Sequence, residues 1–72
     1  MTERTEEIDG YKIRLCKTDN GDYPRYKAEA RDDLWGRYAE AYAENSHDAL
    51  CKLADRIGLD QEEVLITFGV KA

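Results

Sequence analysis

One segment in the middle of the chain, GRYAEAYAENS from Gly36 to Ser46, constrains the fold more than any other stretch. Tyrosine and glutamate alternate there with alanine, which would place the large side chains on one face of a strand and the alanines on the other. Alanine and glutamate nevertheless favour a helix and are rare in strands. A helix over residues 35–44 would contain Gly36 and would place Glu40 and Glu44 four residues apart, where like charges repel. We therefore expect a strand and keep the helix as the alternative.

The segments before this stretch predict two more strands. In GYKIRLCKT (residues 10–18) and RYKAEAR (residues 25–31), inward-facing residues alternate with outward-facing polar ones. The Asn-Gly pair at residues 20–21 favours a hairpin connection, and DDLWG (residues 32–36) supplies a second turn. Together with the alternating segment, these strands predict a three-stranded antiparallel meander.

The segment SHDALCKLADRIG (residues 46–58) predicts an amphipathic helix. Either Asn45 or Ser46 can cap its N-terminus, and Gly58 is placed to end it. Its apolar residues recur at the spacing i, i+3, i+4 and i+7, as Leu50, Leu53, Ala54 and Ile57.

The C-terminal segment, residues 61–68, leaves two alternatives open. The strand formers of VLITF predict a fourth strand, whereas Asp60 followed by Gln-Glu-Glu is typical of a helix start. We expect the strand. The predicted fold is an α+β domain over residues 9–72 in the order β-β-β-α-β, preceded by a frayed acidic N-terminus at residues 1–8.

Size and composition narrow the classes of function. The chain has 72 residues, near the lower limit at which one core is stable alone, so a partner or a second subunit is expected. Sixteen acidic residues against eleven basic ones give a net charge of −5, typical of a small acidic protein. The sequence contains neither a membrane-spanning apolar run nor a signal-peptide pattern, which predicts a cytoplasmic protein.

Few residues carry the chemistry of catalysis. Cys16 and Cys51 are expected as reduced thiols, with a disulfide between them as the alternative. His47 has no partner at metal-site spacing and no cysteine beside it, so neither a metal nor another cofactor is expected. The adjacent carboxylates at residues 32–33 and 62–63 are interpreted as turn and helix-start residues. We therefore expect that the protein is not an enzyme.

A single helix can cover only one face of the predicted sheet, so the other face should be open to solvent or to a partner. Basic side chains of the first two strands and aromatic side chains further along the chain are the candidate partner-binding residues. They are Lys12, Arg14, Arg25, Lys27, Arg31, Trp35, Tyr38 and Tyr42.

Three interpretations of this face remain open. It can be a solvated surface whose basic residues pair with Glu40 and Glu44. It can bind a protein, with Trp35, Tyr38 and Tyr42 as anchors, since Tyr, Trp and Arg are enriched in interfaces. It can bind single-stranded nucleic acid by base stacking. We expect protein binding rather than nucleic-acid binding because the surrounding acidic residues repel a polyanion. A homodimer through a strand edge or through this face is a further expectation.

The predicted order of elements resembles the N-terminal domain of HicB-type antitoxins. The matching pieces are residues 11–15, the turn at residues 19–23, residues 41–44, the Asn45 cap and the Ala49-Leu50 pair, and the resemblance spans about residues 10–57. DDLWG replaces the Pro-Gly-Cys-like turn of that family, and no DNA-binding segment follows the last predicted strand. The resemblance implies a domain that binds a protein partner without binding an operator by itself.

In character rather than in residues, the chain is also similar to small acidic phage inhibitors of host protein complexes, such as anti-CRISPR proteins. Size, charge and the lack of catalytic motifs are what the two have in common. Both resemblances imply a prokaryotic or phage origin.

Overall fold

The computed structural model describes residues 3–18 and 25–70 of the chain. Its elements are the strands β1 (Arg4–Ile8), β2 (Tyr11–Lys17), β3 (Tyr26–Asp32) and β4 (Arg37–Ala43), and the helices α1 (Ser46–Ile57) and α2 (Gln61–Thr67). The strands form one antiparallel sheet in the order β1-β2-β3-β4. The α+β class is therefore confirmed, and β2, β3 and β4 form the predicted meander. The Asn-Gly connection at residues 20–21 lies outside the described residues.

The alternating segment forms strand β4, and the helix alternative for this segment is wrong. Ala41 and Ala43 are buried on the side of β4 that faces α1. In the neighbouring strand, Ala28 lies opposite Ala41. These small side chains leave room for Leu50 and Leu53 of α1, which are fully buried. Packing of the helix on the sheet thus outweighs the helix propensity of alanine.

The expectation that residues 1–8 are frayed is wrong for β1. This strand pairs in continuous register with residues 11–15 of β2, and Ile8 is buried. The guanidinium of Arg4 donates a hydrogen bond to the carbonyl oxygen of Phe68 at 2.8 Å, which ties β1 to the end of α2. The pairing with β2 is local, because Ile8 and Tyr11 are joined by a two-residue turn in which Asp9 and Gly10 have φ of 50° and 84°, a hairpin that Asp-Gly favours and that the sequence analysis missed. Only the contact of Arg4 with Phe68 reaches a segment distant in sequence.

The fourth strand expected in VLITF is also wrong, because this segment belongs to α2. The side chain of Asp60 caps the helix by accepting a hydrogen bond from the backbone N–H of Glu62 at 2.9 Å. Val64, Leu65 and Phe68 are buried in the common core, at a spacing that fits one face of a helix. The helix start recognised at Asp60 therefore prevailed over the strand propensity of the residues after it.

Helix α1 begins and ends where the sequence predicts. The Asn45 side chain accepts a hydrogen bond from the N–H of Asp48 at 2.8 Å. Gly58 adopts a left-handed conformation with φ of 75°, and its N–H bonds to the carbonyl of Ala54. Within the described residues, neither helix is long and apolar enough to cross a membrane.

Both helices pack on the same face of the sheet, so the domain has two layers with one core between them. The order predicted from sequence is thereby corrected to β-β-β-β-α-α. The buried core consists of Ile8, Tyr11, Ile13, Leu15, Ala28, Ala30, Ala41, Ala43, Ala49, Leu50, Leu53, Ala54, Val64, Leu65 and Phe68.

Candidate functional site

The sheet face opposite the helices, here called the open face, is formed by alternate residues of all four strands. Neighbouring residues in each strand point the other way and contribute to the core. Six of the eight predicted site residues lie on this face together. The open face consists of Thr5, Glu7, Lys12, Arg14, Cys16, Lys27, Glu29, Arg31, Tyr38, Glu40 and Tyr42.

The other two predicted site residues, Arg25 and Trp35, lie at opposite ends of β3. Arg25 precedes the strand by one residue, and its carbonyl accepts a hydrogen bond from the N–H of Thr18 at 2.7 Å. Trp35 lies in the β3–β4 turn, at the tip of the hairpin rather than on the sheet. The structure therefore separates these two residues from the six on the open face.

The cations at the hairpin end of the open face share one carboxylate. The Lys12 Nζ lies 3.5 Å from Asp33 Oδ2, and the Arg31 Nε lies 3.2 Å from Asp33 Oδ1. All three side chains are largely exposed, so each ion pair contributes little to stability. The negative charge of Asp33 nevertheless offsets part of the positive charge expected at this end of the open face.

The cations in the middle of the open face are also paired. Arg14 contacts Glu3 and lies 3.4 Å from Glu29, while Lys27 lies 3.5 Å from Glu40. Burial alone would lower the pKa of Lys27, but the charge of Glu29 and the contact with Glu40 outweigh it and raise that pKa. The expected basic surface is thus a mixed-charge one, since β1 and the residue before it add carboxylates that the sequence analysis assigned to a frayed terminus.

Tyr38 bridges two glutamates that face each other across neighbouring strands. Glu29 and Glu40 are direct cross-strand partners, an arrangement in which like charges repel. The Tyr38 hydroxyl lies 2.8 Å from Glu29 Oε2 and 3.1 Å from Glu40 Oε2. The hydrogen bond to Glu29, helped by burial and by Glu40, raises the pKa of Tyr38 above its ordinary value of 10.0. The phenol therefore stays protonated and donates to the carboxylate pair.

The β3–β4 turn is held by the buried carboxylate of Asp32. Its Oδ1 accepts hydrogen bonds from the N–H groups of Leu34 at 3.0 Å and Trp35 at 3.3 Å. Its Oδ2 accepts from the guanidinium of Arg37, which lowers the pKa of Asp32 below its ordinary value of 3.8. Gly36 completes the reversal with a φ of 70°, a conformation that favours glycine. The turn backbone is thus fixed while its apolar side chains point outward.

Exposed large hydrophobic side chains concentrate along this turn and β4. Of the five in the described residues, four are Leu34, Trp35, Tyr38 and Tyr42, with exposed fractions of 83%, 73%, 54% and 42%. The fifth, Ile66, is 68% exposed and lies on α2. Because β4 is the outermost strand on its side, the four residues follow one border of the sheet. We call them the aromatic edge.

A shallow depression of about 230 Å³ lies on the open face beside the aromatic edge. Its lining includes the cations Lys12, Arg14 and Arg31 together with the Tyr38 ring. Since the cations already pair with carboxylates of the same chain, an anion entering the depression would compete with those carboxylates.

Helix α1 brings His47 beside Cys51, a neighbour that the sequence analysis missed although their i, i+4 spacing indicates it. The Cys51 Sγ lies 3.9 Å from Nδ1 of His47, and the same nitrogen lies 3.2 Å from Asp48 Oδ1. Burial, followed by the charge of Asp48, raises the pKa of the Cys51 thiol. In an activated Cys-His-Asp nucleophile, the thiol and the carboxylate contact different ring nitrogens of the histidine. Here Cys51 and Asp48 both lie beside Nδ1 of His47, and the thiol stays protonated, so the arrangement does not activate Cys51. Cys16 and Cys51 are both free.

Comparison of the chain with family models, with curated proteins and with solved structures finds no match in any of the three. The resemblances to HicB-type antitoxins and to small phage inhibitors therefore stay predictions drawn from the sequence.

Proposed function

We propose that this protein is a non-catalytic protein-binding module whose partner docks on the aromatic edge and the adjoining open face. The observation that supports this most is the concentration of four exposed large hydrophobic residues between Leu34 and Tyr42. A single exposed hydrophobic residue is ordinary on a protein surface, whereas a group of neighbouring ones is typical of an interaction site. Tyrosine and tryptophan are also enriched among residues that dominate binding energy.

The rigidity of this surface favours binding. The Asp32 carboxylate fixes the turn that carries Leu34 and Trp35, and the pairing of β4 with β3 fixes the backbone under Tyr38 and Tyr42. A preorganised surface loses less conformational entropy when a partner docks. The ion pairs of the open face would then form a polar border beside the aromatic anchors, as in many protein interfaces.

The class of partner follows from the two resemblances. A HicB-type antitoxin would bind a toxin protein, and a small phage inhibitor would bind a protein complex of its host. The neighbouring genes offer an inexpensive way to separate these two proposals. A small toxin gene beside this one favours the antitoxin, and a cluster of phage genes favours the inhibitor.

Single-stranded nucleic acid is the second candidate ligand. The depression lined by Lys12, Arg14, Arg31 and Tyr38 supports it, because cations near an aromatic ring suit phosphates and stacked bases. We rank it below protein binding because every open-face cation already has a carboxylate within 4.0 Å. Binding to phosphates would weaken steeply with added salt, whereas docking on the aromatic edge would not.

The proposal is tested by capture from a lysate of the native host, quantified by mass spectrometry. The wild-type chain is compared with the double variants Leu34→Ser/Trp35→Ser and Tyr38→Ala/Tyr42→Ala. Ile66→Ser is the matched control, because it removes an exposed hydrophobic side chain from a different surface. We expect one protein to be captured by wild type and by the control in similar amounts. Both double variants should capture at least tenfold less of that protein.

The affinity for that protein is then measured with purified components at several salt concentrations, and circular dichroism verifies that each variant is folded. Equal capture by all four chains would contradict the proposal. Capture that nuclease treatment abolishes would favour the nucleic-acid alternative instead. Unfolding of Tyr38→Ala/Tyr42→Ala would mean that these rings are structural rather than available to a partner.

A further inference from the structure

We propose that β4 pairs antiparallel with β4 of a second copy of this chain, which gives a two-fold dimer with a continuous eight-stranded sheet. Among the described residues, β4 pairs with β3 on one side only, and that pairing runs from Asp32↔Arg37 to Tyr26↔Ala43 without a bulge. An edge strand without a bulge, a proline or a row of charges is open to further pairing. Arg37 and Glu40 are its charged residues.

The other edge of the sheet is protected, so the pairing would stop at two copies. Strand β1 has five residues against seven in β4, and three of those five are charged: Arg4, Glu6 and Glu7. Short length and charge are the common devices by which proteins block edge-to-edge association. One available edge and one blocked edge produce a closed dimer rather than a fibre.

The charges along β4 select the register of this pairing. A two-fold axis through Ala41 places Glu40 opposite Tyr42 of the second copy and Tyr38 opposite Glu44 of the second copy. The Tyr42 hydroxyl can donate a hydrogen bond to Glu40 of the second copy, while the Tyr38 hydroxyl keeps its bond to Glu29 and Glu40 of its own chain and brings no like charge to Glu44. An axis through Glu40 would place two glutamates opposite each other, and an axis through Tyr42 would place Glu40 opposite Glu44, so like charges disfavour both. An axis through Ala39 would align Glu40 with Tyr38, whose hydroxyl already donates within its own chain, and would place Tyr42 opposite Gly36 without a carboxylate.

Two side chains along this edge are free to accept such partners. Neither the Tyr42 hydroxyl nor the Glu44 carboxylate has a hydrogen-bond partner within the described part of the chain. On the helix side the edge carries the small residues Ala39, Ala41 and Ala43, which leave room for a neighbouring strand. The exposed Lys52 ammonium, 3.4 Å from the Tyr42 carbonyl, would have to move aside.

The first test measures self-association of the full chain by analytical ultracentrifugation over a wide concentration range. We expect a dimer, and Tyr42→Glu should raise its dissociation constant at least tenfold. The two-fold symmetry places the new carboxylate opposite Glu40 of the other copy at two equivalent positions, so the repulsion occurs twice. Within its own sheet, residue 42 lies opposite Lys27, so this substitution is compatible with the fold. The double variant Glu40→Lys/Tyr42→Glu should restore dimerisation by exchanging repulsion for attraction. Thr5→Glu on the opposite edge is the matched control and should have no effect.

The second test reads the register directly by disulfide cross-linking. In a background of Cys16→Ser and Cys51→Ser, chains with Glu40→Cys are mixed with chains with Tyr42→Cys and oxidised. Residues directly opposite in an antiparallel pair are close enough for a disulfide, and residues displaced by two are not. The mixture should therefore cross-link while each variant alone should not.

A chain that stays monomeric at all concentrations would overturn the proposal, and so would a dimer that Tyr42→Glu leaves unchanged. Cross-linking of the Glu40→Cys chain with itself would overturn the register centred on Ala41. The proposal does not depend on the function proposed above. Both proposals use Tyr38 and Tyr42, whereas Leu34 and Trp35 lie outside β4. Leu34→Ser/Trp35→Ser should therefore reduce lysate capture without weakening the dimer, which distinguishes failure of one proposal from failure of the other.

Discussion

Arg37 donates two hydrogen bonds to the buried carboxylate of Asp32, with Oδ2 lying 2.5 Å from Nη2 and 3.2 Å from Nε. The guanidinium of Arg37 also lies over the ring of Tyr11, 5.0 Å from its centroid. Because Asp32 holds the turn backbone as well, these contacts connect the hairpin tip to β2 and to the core. The exposed position of the Leu34 side chain therefore depends on the buried carboxylate of Asp32, which is not itself part of the proposed binding surface.

Replacing this carboxylate should change how stability depends on pH. Arg37 holds the pKa of Asp32 below 3.8, so the unfolded chain binds the proton more readily than the folded one. The stabilising contribution is therefore complete above the unfolded pKa and is lost as the pH falls through the folded pKa. We expect Asp32→Asn to be less stable than wild type above about pH 5, with the difference shrinking below about pH 4. Urea unfolding at a series of pH values measures it.

The control for this prediction is Asp33→Asn, since Asp33 is exposed and forms only surface ion pairs with Lys12 and Arg31. Its effect on the free energy of unfolding should be small. If the difference between wild type and Asp32→Asn is the same at pH 7 and at pH 3, the carboxylate does not hold the turn by its charge.

The hydroxyl of Tyr38 should stabilise the glutamate pair to which it donates. Tyr38→Phe removes that donor from Glu29 and Glu40, and because the ring is exposed we expect a loss of less than about 1 kcal/mol. In a Glu40→Gln background the loss should be smaller, because the amide removes the like charge and can itself donate to Glu29. A double-mutant cycle by urea unfolding measures this coupling. Additive effects would show that Tyr38 and Glu40 are not coupled and would contradict the prediction.

Arg4 should determine whether β1 stays attached to α2. Its guanidinium lies 2.8 Å from the Phe68 carbonyl oxygen and 5.8 Å from the Phe68 ring centroid. A hydrogen bond from a charged donor to this helix end contributes about 1.5 kcal/mol, so Arg4→Gln should lower the free energy of unfolding by about that amount. Amide hydrogen exchange should accelerate in β1 and α2 first. Arg25→Gln, which alters an exposed side chain before β3, is the control, and an equal effect of both variants would contradict the prediction.

The elements that the sequence predicted are those whose signals are local. The alternation of tyrosine and alanine marks β4, and Asn45 and Gly58 mark the two ends of α1. Strand β1 also has a local signal, the Asp9-Gly10 pair that forms the two-residue turn into β2, but the sequence analysis missed it. The contact of β1 that has no local signal is the one from Arg4 to Phe68, which spans 64 positions.

The same distinction explains the candidate site. Alternation was sufficient to place Lys12 and Tyr38 on one face, because the direction of a strand side chain depends only on its position. The prediction that this face is basic was wrong, because Glu3 and Asp33 pair with its cations and come from outside the three predicted strands. For α2, strand propensity and a helix cap disagreed, and the burial of Val64, Leu65 and Phe68 on one helical face is the tertiary contact that favours the helix.

Leu53 tests the packing on which the rest of the molecule depends. Its side chain is fully buried between α1 and the sheet, so Leu53→Ala should lower the free energy of unfolding by about 2 to 5 kcal/mol through lost burial and the cavity left behind. Leu34→Ala removes the same atoms from an exposed turn and should change stability by less than about 0.5 kcal/mol. Urea unfolding monitored by far-ultraviolet circular dichroism compares the two. A small effect at Leu53 would mean that α1 does not pack on the alanines of β3 and β4, and the helix-covered face and the open face would then have to be assigned anew.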